Sequence, residues 1–112
     1  MINKKELPDC PVATAVFLIG NKWKLLILRE LIYNGVTRFN RLKKSIDGIS
    51  QKVLTQNLRE LESDYLIKRE IFAEVPPRVE YSLTDTGASL IPLMNNLAEW
   101  GEKYKNFIGT IK

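Results

Sequence analysis

The chain has 112 residues, of which 45% are hydrophobic and 27% charged, and its net charge is +4. This length fits one globular domain with a small core, so we expect a single domain over residues 1–112. The chain contains one cysteine and no histidine. An intrachain disulfide, a zinc cluster and a Ser/His or Cys/His catalytic pair are therefore excluded, and we predict no enzyme activity, no cofactor and no metal.

The N-terminal third predicts two helices. Pro11 can open the first helix at its N1 position, with Cys10 at or next to the N-cap and a break at Gly20. Asn21 can cap the second helix, which ends near Asn34. Because the apolar run is too short to span a bilayer and no small-residue cleavage site follows it, we expect a cytoplasmic protein with no membrane partner. The residues expected on the exposed side of the second helix are Lys22, Lys24, Arg29 and Glu30.

Residues 37–66 predict a helix-turn-helix. Thr37 can cap a short first helix, and Ser50 can cap a longer second helix that we place at residues 50–65. A turn at Gly48 separates the two helices. The second helix is amphipathic, and its residues expected to face the core are Leu54, Leu58, Leu61 and Tyr65.

The opposite face of this second helix is polar and chemically suited to DNA. Glutamine and arginine match the hydrogen-bonding edges of purines in the major groove, while lysine and threonine suit phosphates or bases. Residues 38–59 contain six basic residues and one acidic residue, a net charge of +5. A solvated basic face is the alternative, but its coincidence with a helix-turn-helix favours nucleic acid. The polar face consists of Gln51, Lys52, Thr55, Gln56 and Arg59.

A two-stranded β-hairpin wing is predicted at residues 67–83, where the hydrophobic period changes to two. Pro76 and Pro77 interrupt the alternation and mark the turn. The expected fold is therefore α+β, mainly α: a winged helix-turn-helix. The prolines would stiffen the turn and present Arg78 at the wing tip, where it suits a narrow minor groove. An ordinary solvated arginine is the alternative.

A long C-terminal dimerisation helix is predicted at residues 84–109, with Thr84 as its N-cap and a kink at Pro92. At 1.5 Å per residue it would be roughly 35 Å long, and its apolar stripe is broader than one small core can cover. Packing within the chain is the alternative, but a second copy is the simplest partner for this surface. The expected dimer interface consists of Val16, Leu90, Met94, Leu97, Trp100, Tyr104 and Ile108.

Four motifs occur together and in a fixed order. They are the Cys-Pro start, the Gly-Asn-Lys-Trp junction, the helix ISQKVLTQNLRELE and the wing PPRVEYSLT. From about Cys10 to the end of the last helix, the chain resembles the HxlR-type family of bacterial winged helix-turn-helix regulators, which is related to the MarR-like regulators. The resemblance implies a homodimer that binds a near-palindromic operator in double-stranded DNA and regulates transcription, usually of neighbouring genes.

The resemblance also implies which side chains contact DNA. Arg78 would enter the groove from the wing, and Arg38 or Lys43 would contact phosphates. One departure from the family is Asn57, where many relatives are more basic. A winged-helix module used only for protein contacts is the alternative function, because a fold alone does not fix function. The implied contacts of the recognition helix are Ser50, Gln51, Lys52, Thr55, Gln56 and Arg59.

Cys10 is the only cysteine of the chain. In the resembling family, some members with a cysteine at the matching position sense oxidants, electrophiles or aldehydes through it, which makes Cys10 a candidate sensor. The alternative is a small apolar residue packed at the dimer interface.

Overall fold

The structure, a computed structural model, describes residues 6–111, so the domain expected over residues 1–112 extends beyond them at both ends. The described part is a winged helix-turn-helix with an additional short strand. In chain order its elements are α1 (Pro11–Ile19), α2 (Lys22–Asn34), β1 (Thr37–Arg38), α3 (Phe39–Ser45), α4 (Gln51–Ser63), β2 (Ile67–Phe72), β3 (Arg78–Leu83), α5 (Asp85–Ala88) and α6 (Ile91–Ile111).

Helices α1 and α2 begin where the sequence indicates. Cys10 is the N-cap of α1, and proline occupies the first turn. The Asn21 side chain caps α2 by accepting a hydrogen bond from the backbone N–H of Lys24 at 2.8 Å. Among residues 6–111, no single helix has the length and apolar character needed to cross a bilayer, and α1 and α2 meet that requirement only as a pair bent by 80°.

The start of α3 differs from the prediction. Thr37 is buried in β1, where its hydroxyl donates to the carbonyl of Gly35 at 3.0 Å, and Arg38 is the N-cap instead. The prediction that Thr37 caps α3 was therefore wrong, because strand pairing takes this residue. The helix-turn-helix turn contains Gly48 in the left-handed region at φ +81°, a conformation that glycine adopts without steric cost. Ser50 caps α4 as predicted and accepts from the N–H of Val53 at 3.1 Å.

The sheet has three antiparallel strands in the order β1-β3-β2. In the register, Thr37 lies opposite Tyr81, and Phe72 lies opposite Arg78. A two-stranded wing was predicted because a strand as short as β1 carries no periodic signal. The sheet and four helices enclose one core, formed by Ile19, Ile27, Leu28, Leu31, Leu42, Ile46, Ile49, Leu54, Leu58, Leu61, Leu66, Ile67 and Tyr81.

Tyr65 does not belong to this core. Helix α4 ends at Ser63, and Tyr65 adopts φ +62° with 57% of its surface exposed. The next residue, Leu66, is buried in its place. The predicted core role of Tyr65 was wrong because the backbone turns out of the helix before the apolar spacing ends.

The predicted C-terminal helix is divided into two. Thr84 caps the short α5 by accepting from the N–H of Gly87 at 3.0 Å, and a new helix, α6, begins at Ile91. Pro92 is the second residue of α6, where a missing backbone N–H costs nothing. Pro92 therefore lies in the first turn of α6. The kink predicted at this residue is instead a break between two separate helices. None of residues 91–111 is buried.

Replacing Gly87 with alanine should destabilise the fold. Gly87 is buried, and an added Cβ would lie 1.9 Å from the carbonyl oxygen of Leu66, so the backbone must shift. We expect the free energy of unfolding in urea to fall by about 1–3 kcal/mol. Gly109→Ala is the control, because Gly109 is helical and its added Cβ meets nothing within 4 Å. Equal stability of the two variants would contradict this account of Gly87.

Candidate nucleic-acid interface

Helix α4 has one buried and one exposed face. Leu54, Leu58 and Leu61 have at most 2% of their surface exposed and pack into the core. The predicted DNA-reading residues lie on the other side, where all are exposed except Thr55, which is half-buried. The structure therefore brings these side chains together along one shallow concave surface. This recognition surface is formed by Gln51, Lys52, Thr55, Gln56 and Arg59, with Glu60 at its end.

The predicted phosphate contacts lie on α3, the first helix of the helix-turn-helix. Arg38 and Lys43 are both exposed at the two ends of α3. Lys43 and Lys44 occupy the last turn of α3, where a positive charge is favoured by the helix dipole. Arg41, also on α3, donates a hydrogen bond to the side-chain oxygen of Asn34 at the end of α2, at 3.3 Å. Helix α3 therefore carries a group of exposed basic residues within the helix-turn-helix.

The cations of the helix-turn-helix differ in their pairing from those elsewhere in the described chain. Within residues 6–111, no salt bridge is formed by the six basic residues of the segment 38–59. Elsewhere, many cations are paired: Lys24, Arg29, Arg69, Arg78, Lys103 and Lys105 each lie within 4.0 Å of a carboxylate. The positive charge that remains available to a partner is therefore concentrated at α3 and α4.

Arg78 lies at the base of the wing loop rather than at its tip. It is the first residue of β3, and its side chain is only 25% exposed. Its Nη1 lies 3.0 Å from Glu74 Oε1, and its buried Nε lies 3.1 Å from Glu80 Oε2 without hydrogen-bond alignment. The guanidinium also lies 4.0 Å from the ring centroid of Phe72. The expectation of an arginine projecting freely from the turn is therefore corrected, because these neighbours hold it against the sheet.

Asn57 faces inward and not toward the recognition surface. It is 7% exposed, and its amide donates to the carbonyl of Val53 at 2.8 Å. Its side-chain oxygen accepts from the Asn21 amide at 3.3 Å. Asn57, the residue that departs from the family pattern, therefore links the recognition helix to the start of α2.

Lys24 and Glu60 form a pair that the sequence analysis missed. Lys24 was expected on the exposed side of α2, but its side chain is 7% exposed and its Nζ lies 2.9 Å from Glu60 Oε1. The spacing of Lys24 with Ile27, Leu28 and Leu31 places it on the buried face of α2, and this was the available signal. The hydrogen bond from Lys24 lowers the pKa of the Glu60 carboxyl, opposed by burial and assisted by the charge of Lys24 and a hydrogen bond from Gln56.

An apolar surface runs along α1 and α6, on the residues expected at a dimer interface. Leu97 is 47% exposed, Trp100 67% and Tyr104 49%, and the last two rings stack with centroids 5.4 Å apart. Val16 is exposed on α1, whereas Met94 and Ile108 are half-buried. Leu90 differs from the rest because it packs against the core of its own chain.

Cys10 lies at the edge of that apolar surface. It is exposed and unbonded to another cysteine, and its side chain makes no capping hydrogen bond at the start of α1. The thiol is therefore accessible in the single chain.

Comparison with known proteins identifies the family. The family model described as HxlR-like helix-turn-helix matches residues 18–108. The HTH-type transcriptional regulator YdeP of Bacillus subtilis (strain 168) is 48% identical over 107 residues, which cover 96% of this chain and 83% of YdeP.

Two solved structures have the same fold. The redox regulator HypR in its reduced form superposes with a TM-score of 0.84 at 40% identity, covering 90% of this chain and 99% of HypR. The oxidised form of HypR superposes with a TM-score of 0.79 at 44% identity, covering 84% of this chain and 96% of HypR. With the family model and these relatives in agreement, the chain belongs to the HxlR-like helix-turn-helix family.

Proposed function

We propose that the protein is a dimeric, sequence-specific DNA-binding regulator of transcription. The observation that carries this proposal is the set of cations on α3 and α4 that form no salt bridge within residues 6–111, beside a row of exposed glutamines and arginine with the half-buried Thr55 among them. A module that uses the same helix for protein contacts would be expected to present aromatic or aliphatic side chains at the centre of that face, with few charged residues. Transcriptional regulation is also the function named for relatives such as YdeP.

In the proposed complex, α4 lies in the major groove. Gln51, Gln56 and Arg59 contact base edges, while Lys52 and Ser50 contact phosphates or bases near the start of the helix. Arg38 and Lys43 contact the backbone and set the register. These roles follow from side-chain chemistry and from the exposure of the recognition surface.

The wing contact requires a rearrangement. For Arg78 to enter a minor groove, its guanidinium must leave Glu74 and Glu80 and the ring of Phe72. Attraction between the guanidinium and the electronegative potential of a narrow A·T-rich groove would offset the loss of these contacts. We therefore propose Arg78 as a groove contact that forms only in the complex.

Dimerisation would supply a second recognition helix for the second half-site of a near-palindromic operator. The exposed rings and aliphatic side chains of α6 and α1 form an apolar patch, and such patches mark interaction sites. A two-fold axis across this surface brings two copies of α4 to one duplex.

Changing Arg59 and Lys52 separately should distinguish base contacts from phosphate contacts. Arg59→Ala should weaken binding to the preferred sequence by about 1–3 kcal/mol and relax the preference at one base pair. Lys52→Ala should weaken binding to all sequences similarly. The measurement is titration at one fixed salt concentration, with DNA from upstream of the gene and a scrambled duplex of equal composition. If both variants bind DNA with unchanged affinity, the proposal that α4 contacts DNA through this face is wrong.

Charge on the apolar face of α6 should separate the two copies. The double variant Leu97→Glu, Tyr104→Glu should sediment as a monomer or become insoluble, and its operator affinity should fall because the two half-sites are no longer linked. Asn106→Glu is the control for an added negative charge, since it places one glutamate two residues from Tyr104, on another side of the helix. A native protein that sediments as a monomer at micromolar concentration would overturn the proposed assembly.

We further propose that Cys10 makes DNA binding responsive to thiol chemistry. Supporting this are the exposure of Cys10 beside the proposed dimer interface and the name of HypR as a redox regulator. Within a homodimer, the thiol can form a disulfide only with Cys10 of the second copy, or it can take a small adduct. Either product changes the packing between copies and hence the spacing of the two α4 helices.

Diamide or an aldehyde should therefore change the operator affinity of the native protein. Cys10→Ser should bind DNA as the native protein does but ignore the treatment, as measured by the same titration across a range of doses. If the operator affinities of the two proteins change in the same way over the whole range of doses, Cys10 is not a sensor and serves only in packing.

A further inference from the structure

Two polar contacts join the start of α2 to one side of the recognition helix α4. In the first, the side-chain amide of Asn21 donates to Asn57 Oδ1 at 3.3 Å. In the second, Lys24 Nζ lies 2.9 Å from Glu60 Oε1. Within each helix the two residues are three apart, so they lie on the same face, about one turn from each other. These two cross-helix contacts therefore lie side by side along the line where α2 and α4 meet.

The side chains that make the cross-helix contacts are themselves held in place. The Oδ1 of Asn21 accepts from the N–H of Lys24 at 2.8 Å, so its amide group points away from its own helix end. Asn57 is 7% exposed, and its amide donates to the carbonyl of Val53 at 2.8 Å, which leaves its oxygen for Asn21. The Lys24 ammonium is almost fully removed from water, and a buried charge requires its partner.

The cross-helix contacts supply a constraint that the buried leucines of α4 do not. Apolar packing is non-directional, and packed helices can slide past each other by small amounts. A hydrogen bond, in contrast, requires a short donor–acceptor distance and good alignment. A shift of α4 along α2 by the rise of one residue, about 1.5 Å, would break both contacts. The leucines thus fix the rotation of α4, and the cross-helix contacts fix its position along its axis.

The start of α2 is also closely joined to α1. Gly20 and Asn21 form a two-residue corner at which the two helices bend by 80°. The N–H of Gly20 donates to the carbonyl of Val16 at 2.7 Å, and the N–H of Asn21 donates to that of Ile19 at 2.9 Å. A Cβ at Gly20 would lie 2.3 Å from the carbonyl oxygen of Val16, so the corner has no room for a side chain. Because α1 carries part of the proposed dimer interface, this corner links that interface to α4.

We propose that Asn21 and Asn57 are positioning residues that determine which spacing between DNA half-sites the protein accepts, with Lys24 and Glu60 in the same role. Neither asparagine lines the recognition surface, so their effect on DNA binding passes through the position of α4 in the dimer. Adding one base pair moves a half-site by about 3.4 Å and about one tenth of a turn, so two firmly held helices fit one spacing. This inference rests on the proposed dimeric DNA-binding function and specifies the geometry of its operator.

The test is titration of palindromic duplexes that share one half-site and differ only in the number of base pairs between its two copies. The half-site is first selected from a random pool with the native protein. Lengthening or shortening the best spacer by one base pair should cost the native protein about tenfold in affinity, because both half-sites can no longer be engaged together. This ratio, the spacing penalty, is compared between proteins, since it cancels any uniform change in affinity.

Two variants remove the first cross-helix contact from either side. Asn21→Ser keeps the cap of α2, because serine is as good an N-cap as asparagine, and Asn57→Ala removes the acceptor on α4. Both should retain the native base preferences within a half-site, but their spacing penalty should fall to about threefold or less. Asn34→Ser is the matched control: it removes a hydrogen bond of the same 3.3 Å length from the other end of α2, to α3, and should keep the full penalty.

Combined variants separate positioning from a general loss of stability. If the two asparagines act through their shared hydrogen bond, the double variant Asn21→Ser, Asn57→Ala should have the same spacing penalty as either single variant. Lys24→Met removes the second contact and leaves the Glu60 carboxylate, which is 46% exposed, in contact with water. Together with Asn21→Ser it should lower the penalty further than either change alone.

The other outcomes are equally distinct. Native spacing penalties in both Asn21→Ser and Asn57→Ala would overturn the inference and leave the proposed function standing. Effects that add in the double variant would also overturn it, because the two asparagines would then not act through one bond. A native protein that binds all spacers equally overturns the inference together with the proposed two-fold arrangement, and one that selects no sequence overturns the proposed function itself.

Discussion

The packing of α4 against α2 is the constraint on which the rest of the molecule depends. Leu54, Leu58 and Leu61 are each almost completely buried, and such burial contributes about 1.5–3 kcal/mol per side chain. A helix of 13 residues anchored by three leucines can take only one rotation about its axis. That rotation determines which polar side chains face outward. The inward hydrogen bonds of Asn57 reinforce it at the edge of the core.

Acidic residues are distributed so that they neutralise some cations and leave others free. On the wing, Glu74 and Glu80 share one arginine, and on α2 the buried lysine has Glu60. Around α3 and the start of α4, the single acid Asp47 is exposed and forms no salt bridge among the described residues. The net charge of the chain, +4, is modest. Six of the cations that form no salt bridge within residues 6–111 nevertheless lie in the segment 38–59, where they can attract a polyanion over a distance.

Local features could be predicted from the sequence, and features set by distant partners could not. The caps Asn21 and Ser50 and the buried leucines of α4 depend on residues within one or two helical turns, so spacing alone identifies them. Arg78 was misplaced because Phe72, Glu74 and Glu80 hold its side chain against the hairpin, and the alternation of the two strands does not specify these side-chain contacts. Tyr65 continues an apolar spacing past the point where the backbone leaves the helix. Likewise, the buried Lys24 pairs with Glu60, which lies on a different helix and far along the chain.

The near-complete separation of α6 from the core has a consequence for the dynamics of the chain. None of residues 91–111 is buried, so opening of this helix removes little that holds the remaining elements together. Amide hydrogen exchange in α6 should then follow the local equilibrium of that helix, while exchange in α4 follows unfolding of the whole domain. In the proposed dimer, the order of α6 also depends on protein concentration, because association stabilises only the copies whose helices are formed. The amount of protein in the cell thereby becomes a variable that sets how rigidly two reading helices are held apart.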